Sequence, residues 1–262
     1  MQVGIFQSID ELAEEAASYI IRLVERKPDA NIGVPTSSSP EGLYEKLRQA
    51  HKETDFTLEE ARVFSLDEYV GLDADHPQLY HNVLRKNLVG PENTGLVESH
   101  LYTPKGDSHD LQRAADDFEK TIKSVKGIDL QILGIGTNGR VAFNEPGGSL
   151  ASRCHIDHLT PQTKSDNARF FGGENEVPDK CITMGLATIM DAEHIVLMAF
   201  GQHKAEAVQH LVEGPISAMW PGTVLQMHRK TTILLDESAA SRLVYNEHYR
   251  EMWEQRHSEA IF

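Results

Sequence analysis

Five short apolar runs, each separated from the next by a segment of helical periodicity, constrain this chain more than any other feature. The runs are residues 31–34, 61–66, 128–135, 195–200 and 231–235. Their apolar residues are nearly continuous rather than alternating, so both faces of each strand must be covered. Such strands belong to a largely parallel sheet with helices on both sides. The intervening segments supply those helices. Ser8 and Glu11 form an S-x-x-E capping box, and Ile9, Leu12, Ala13, Ala16, Ile20, Leu23 and Val24 then recur at helical spacing up to Lys27-Pro28. Further helices are expected from Pro40 through Leu47, over 77–88, 114–125 and 203–212, and from Asn246 to about Ser258. Neither an internal repeat nor a Pro/Ser-rich linker interrupts the pattern. The expectation is one doubly wound, Rossmann-like α/β domain over residues 1–262.

In such folds ligands bind beyond the carboxyl ends of the strands, which directs attention to the segments after Val34, Leu66, Ile135 and Phe200. After Val34 come Thr36, Ser37, Ser38 and Ser39, just before a helix start. Two readings fit this loop: hydroxyls and backbone N–H groups at a positive helix end hold a phosphate, or Ser39 simply caps the helix. It lacks the glycines and lysine of a nucleotide P-loop, so a bound phosphate would be a monoester. Gly134 to Gly139 spells G-x-G-x-x-G after a strand, the pattern of a dinucleotide site. Yet Arg140-Val141-Ala142-Phe143-Asn144-Glu145-Pro146-Gly147 follows, which cannot be one uninterrupted helix. A glycine-rich loop presenting side chains into a site suits it better, with Glu145 a candidate carboxylate. Asp67 and Glu68 end the second strand, either as a general base with its neighbour or as polar residues leaving the sheet. Residues 154–158, Cys-His-Ile-Asp-His, match no standard zinc spacing and read as a solvated turn. Arg169 and Lys204, at strand ends, are cations that could meet a phosphate.

Charge narrows the partners. With 25 Lys+Arg against 40 Asp+Glu the formal net charge is -15, and no basic cluster offers a surface to nucleic acid or to an anionic membrane. Cys154 and Cys181, the two cysteines, have no CxxC spacing, so neither a disulfide framework nor a thiolate metal site is indicated. The first residues carry neither the basic start nor the apolar stretch of a secretory signal. No apolar run approaches the about 20 residues that span a bilayer. The expected compartment is the cytoplasm, and the expected partner a small molecule, bound by a monomer or a homo-oligomer.

The strings Asp67-Glu68-Tyr69-Val70-Gly71-Leu72 and Phe143-Asn144-Glu145-Pro146-Gly147 resemble the glucosamine-6-phosphate deaminase family. The loops at 33–40 and 134–139, Asn167-Ala168-Arg169-Phe170-Phe171 and His203-Lys204-Ala205 add to the likeness, in the same order over nearly the whole chain. The resemblance implies an amino-sugar phosphate as substrate. Members open the sugar ring, move a proton from C2 to C1 and release fructose 6-phosphate and ammonia, without a cofactor. It further implies that Asp67 shuttles the proton and that Glu145 supports the ring-opening group. Thr36, Ser37, Ser38, Ser39, Arg169 and Lys204 would grip the phosphate, with Glu68 among the substrate contacts. Asn138 and Arg140 occupy catalytic positions of the family.

The chain departs from its family at Arg140, where members carry the histidine that opens the ring as acid and base. A guanidinium stays protonated and has no lone pair to accept a proton. Losing a positioned acid–base group commonly costs about 10²- to 10⁴-fold in rate, although spontaneous ring opening can still feed the later steps. Asn138 stands where several members have aspartate, and Ser37 where glycine is usual. Some bacterial members are hexamers activated by N-acetylglucosamine 6-phosphate through basic residues at the positions of His155 and Asp157. A carboxylate there disfavours a phosphate, so no such activation is expected. Beside the deaminase reading stand a hexosamine-phosphate binding protein without turnover and, on the glycine pattern alone, an NAD-dependent dehydrogenase.

Overall fold

The computed structural model describes residues 1–36 and 40–256. From the N-terminus the chain runs β1 (Gln2–Phe6), α1 (Ile9–Arg26), β2 (Asn31–Val34), α2 (Glu41–Glu53), β3 (Arg62–Ser65), β4 (Asp67–Tyr69), α3 (Tyr80–Leu88) and β5 (Leu101–Tyr102). It continues through α4 (Leu111–Ser124), β6 (Leu130–Leu133), β7 (His155–His158), α5 (Pro161–Asn167), β8 (Lys180–Thr183) and α6 (Leu186–Met190). The last part is β9 (His194–Ala199), α7 (Ala205–Glu213), β10 (Thr231–Asp236), α8 (Glu237–Ala240) and α9 (Asn246–Glu254).

Seven strands form a parallel sheet in the order β1-β10-β9-β6-β2-β3-β5. The near-continuous apolar runs split by alternation into two cores. On β9 and β10, Ile195, Leu197, Ile233 and Leu235 face Ala115, Phe118 and Ile122 of α4 in one core. Val196, Met198 and Leu234 face the other core, built from Leu12, Ala16 and Ile20 of α1 and Leu43 and Leu47 of α2. Each face therefore needs its own apolar set, which is why these strands show no polar side. Truncating a central residue such as Leu197, which is fully buried, would cost about 2–5 kcal/mol.

Local signals set the helix ends. The Ser8 hydroxyl accepts from the Glu11 N–H at 3.2 Å, as a capping box requires, while the Glu11 carboxylate takes the Gln7 N–H instead of that of Ser8. α2 runs six residues past Leu47, and α3 begins at Tyr80 rather than Pro77, after an extended Leu79.

Two expectations are corrected, and two strands are added. Asp67 and Glu68 do not leave the sheet at a strand end; they open β4, which pairs antiparallel with β8 in a separate three-stranded sheet, β4-β8-β7. Residues 154–158 are not a solvated turn, since His155–His158 is β7 of that same sheet and Cys154 is buried. The N-terminal stretch forms the edge strand β1, and β5 adds a strand of two residues, too short to show a period. Residues 37–39 and the expected helical end at 257–258 lie outside the described residues.

Along the large sheet the chain moves from β2 to β3 and β5 on one side, and from β6 to β9 and β10 on the other, where β1 forms the edge. The switch point thus falls between β2 and β6, where the loops after Val34 and Leu133 diverge and leave a crevice.

Candidate active site

A cavity of about 130 Å³ fills that crevice. Its wall is made of Pro35 and Thr36 after β2, Leu66 and Asp67 after β3, Gly134 to Gly136 after β6, and Phe200, His203 and Lys204 after β9. Tyr80 at the start of α3, Arg140, Ala142, Phe143 and the segment carrying Asp166, Asn167 and Arg169 complete it. All four of the strand-end segments singled out above meet here.

Asp67 is 6% exposed, and no described residue donates a hydrogen bond to its carboxylate. Burial pushes its pKa from 3.8 up to about 8, Arg140 pulling it down and Glu68 adding a smaller upward push. A carboxyl group in this state accepts and returns a proton readily near neutral pH. Lys204 is drawn down to about 8, by burial first and by the positive charge of Arg140 next, with Asp166 opposing. Arg169 lies with its guanidinium 4.8 Å from the Phe170 ring centroid. Thr36, Arg169 and Lys204 therefore share one cavity with Asp67, as the sequence suggested; Ser37, Ser38 and Ser39 lie outside the described residues.

Glu68 does not contribute to the cavity. Consecutive residues of a strand point to opposite faces, so Asp67 and Glu68 cannot both face the crevice. The Glu68 carboxylate accepts the N–H groups of Tyr69 (2.9 Å), Tyr80 (2.8 Å) and His81 (2.8 Å), closing the N-terminus of α3. Burial raises its pKa to about 7 against those three hydrogen bonds. Its part is to hold α3, and with it Tyr80, against the site.

Glu145 and Asn138 also stand behind the wall rather than in it. Asn138 Nδ2 donates to Glu145 Oε2 at 2.8 Å, and Thr160 N and the Thr163 hydroxyl donate to Glu145 Oε1. Thr163 in turn accepts from Arg140 Nε at 3.1 Å. Glu145 thus reaches the Arg140 guanidinium through Thr163, and the Arg140 backbone N–H through Asn138, whose Oδ1 accepts it at 3.2 Å. Thr163 carries no recognisable motif and was missed from sequence.

The glycine pattern shapes this loop, and no helix follows it as one does at a dinucleotide site. Gly139 has φ +80° and packs on Trp220 so closely that a Cβ would lie 2.5 Å from its ring. At Gly136 a Cβ would meet the Arg140 side chain at 2.6 Å, so this glycine makes room for the guanidinium. Ala142, with φ +49°, turns its carbonyl to accept from Arg140 Nη1 at 2.7 Å.

Tyr80, Asp166, Asn167 and His203 were not expected in the site. Tyr80 and Asn167 both donate to the Tyr69 hydroxyl, at 3.2 and 3.0 Å, fixing the wall beside Asp67. The Thr137 hydroxyl donates to Asp166 at 2.8 Å, tying the loop after β6 to α5. Asn167 and His203 lay in the strings that carry the family likeness; Tyr80 and Asp166 reach the cavity through packing.

Beside His155 and Asp157 the described residues leave little room. The space between Asn144, Glu145, Gly148, Ser149, Ser152, His155, Asp157 and Leu186 is about 10 Å³, and His155 faces Asp157 at 3.6 Å. That is room for at most one water molecule.

The fold and the cavity define an α/β enzyme with a switch-point site for a small anionic molecule. Residues 6–234 match the family described as glucosamine-6-phosphate isomerases/6-phosphogluconolactonase, and the chain belongs to that family. A Mycolicibacterium smegmatis protein named glucosamine-6-phosphate deaminase is 48% identical over 254 residues, 97% of each chain. One of the same name from Streptomyces avermitilis is 43% identical over 251 residues, 95% of each. Among solved structures, a monomeric glucosamine-6-phosphate deaminase superposes with a TM-score of 0.89 at 37% identity, over 92% of this chain and 99% of the other. The 6-phosphogluconolactonase of Trypanosoma cruzi, with a TM-score of 0.76 at 19% identity over 93% and 97%, shares the fold.

Proposed function

We propose that the chain converts glucosamine 6-phosphate and water to fructose 6-phosphate and ammonia. The observation that carries the reading is one cavity holding a buried carboxylate without hydrogen-bonded partners among the described residues, together with Lys204 and Arg169. Relatives at 48% and 43% identity that bear the deaminase name support it. Arg169, Lys204 and Thr36 receive the phosphate, whose two charges suit two cations. That leaves Asp67 to face the carbon end of the open-chain sugar.

Asp67 takes the C2 proton; the C2–H electron pair becomes the C1=C2 bond, and the C1=O π pair moves to O1. Asp67 then returns the proton to C1. Nitrogen's lone pair forms a C2=N bond, O1 takes a proton from solvent, and water displaces ammonia to leave the ketone. One carboxylate serves both transfers, because C1 and C2 present adjacent positions on one face.

Ammonia release from glucosamine 6-phosphate, coupled to an NADH-consuming dehydrogenase, tests the reading. Turnover abolished by Asp67→Asn is the expected result. Tight calorimetric binding of the substrate with no ammonia would instead identify a binding protein.

A further inference from the structure

We infer that Arg140 is the electrophile of this reaction, the fixed cation that holds the negative charge formed on O1 while Asp67 carries the C2 proton. The inference rests on the deaminase reading and gives a function to the residue that cannot open the ring.

Four features place it there. Arg140 and Asp67 line the same cavity, yet no ion pair within 4 Å joins them among the described residues, so substrate atoms can lie between the two charges. The guanidinium is held on three sides: Nε by the buried Thr163, Nη1 by the carbonyl of Ala142, and its face by the Phe143 ring 5.0 Å away. Thr163 is itself fixed by Glu145, and Ala142 keeps a left-handed backbone that is costly for a residue with a Cβ. Finally, Nη2 has no acceptor among the described residues, which leaves its two N–H groups for a ligand oxygen.

The chemistry matches. Proton loss from C2 turns a neutral carbonyl oxygen into an oxyanion, and a donor arranged beforehand at that oxygen lowers the barrier. A guanidinium stabilises this charge without surrendering its own proton, so it neither quenches the intermediate nor competes with Asp67. Thr163 and Glu145 act as positioning residues for Arg140.

The test uses two open-chain probes with the same phosphate end. 6-Phosphogluconate has a planar, anionic C1 that mimics the oxyanion; glucitol 6-phosphate has a neutral alcohol there. Calorimetry with the full chain is expected to show the carboxylate binding at least about 10-fold tighter than the alcohol, the value of one charge-assisted hydrogen bond. Arg140→Gln is expected to remove that preference while alcohol affinity changes by no more than about 3-fold, with Arg140→Lys in between. In ammonia release, Arg140→Gln should lower kcat by about 100-fold with KM within about 3-fold. Equal binding of the two probes by the unaltered protein, or a preference retained in Arg140→Gln, overturns the inference; the first comparison needs no variant to fold. If the unaltered protein shows the preference but releases no ammonia, the deaminase reading falls while the charge-holding role of Arg140 stands.

Discussion

Replacing Asp67 by Asn should abolish turnover and at the same time stabilise the protein, by an amount that grows with pH. The folded carboxyl has a pKa of about 8 against 3.8 when unhindered, because burial outweighs the pull of Arg140. Between those values the folded chain binds a proton that the unfolded chain has released. Stability therefore falls as pH rises through this window, by up to about 1.4 kcal/mol per unit, and levels off above the folded pKa. At pH 7 the span from 3.8 corresponds to about 4 kcal/mol that an uncharged isostere does not lose. Burying the amide costs about 1–2 kcal/mol. A net gain of about 2 kcal/mol remains, which for a chain of this size raises Tm by about 4–8 °C. The assay is the Tm of both proteins by calorimetry from pH 4 to 8. The difference should be smallest at pH 4 and widen steadily toward pH 8. A difference that is constant, or that shrinks with rising pH, refutes the claim that Asp67 is a strongly desolvated carboxyl. The same group sets the acid limb of kcat/KM, since only its ionised form accepts the C2 proton; activity should rise with pH toward about 8.

Glu68→Ala leaves the N–H groups of Tyr69, Tyr80 and His81 without their acceptor, and should cost about 3 kcal/mol or more, read as a lower urea midpoint at unchanged m. Lys204→Ala removes a half-buried cation at the phosphate end; KM for glucosamine 6-phosphate should rise about 10- to 100-fold with a smaller change in kcat. N-acetylglucosamine 6-phosphate should not raise the rate of ammonia release at any concentration, because the space beside His155 and Asp157 is about 10 Å³ and carries two carboxylates, Glu145 and Asp157. A saturable activation curve would disprove this.

Which residues line the cavity was partly legible from the chain. Thr36, Asp67, Arg169 and Lys204 follow strands or stand in distinctive strings, and a parallel sheet collects its strand ends at one edge. Glu68 stands behind the cavity rather than in its wall, because β4 turns successive side chains to opposite faces, which neighbouring positions in a sequence do not reveal. Thr163 could not be read at all: its importance lies in two hydrogen bonds, to Glu145 eighteen residues before it and to Arg140 twenty-three before it.

Apolar period and helix punctuation are local properties, written in stretches of ten or so residues, and they determined the sheet, its covering helices and the edge at which a ligand binds. The order of the strands, the small antiparallel sheet that carries Asp67, and the locking of Arg140 among Thr163, Ala142 and Phe143 arise only when distant segments pack. Charge behaves in the same way. The sequence establishes that residue 140 is a cation that cannot exchange protons; the fold sets it on the wall of the cavity that holds the buried carboxylate of Asp67.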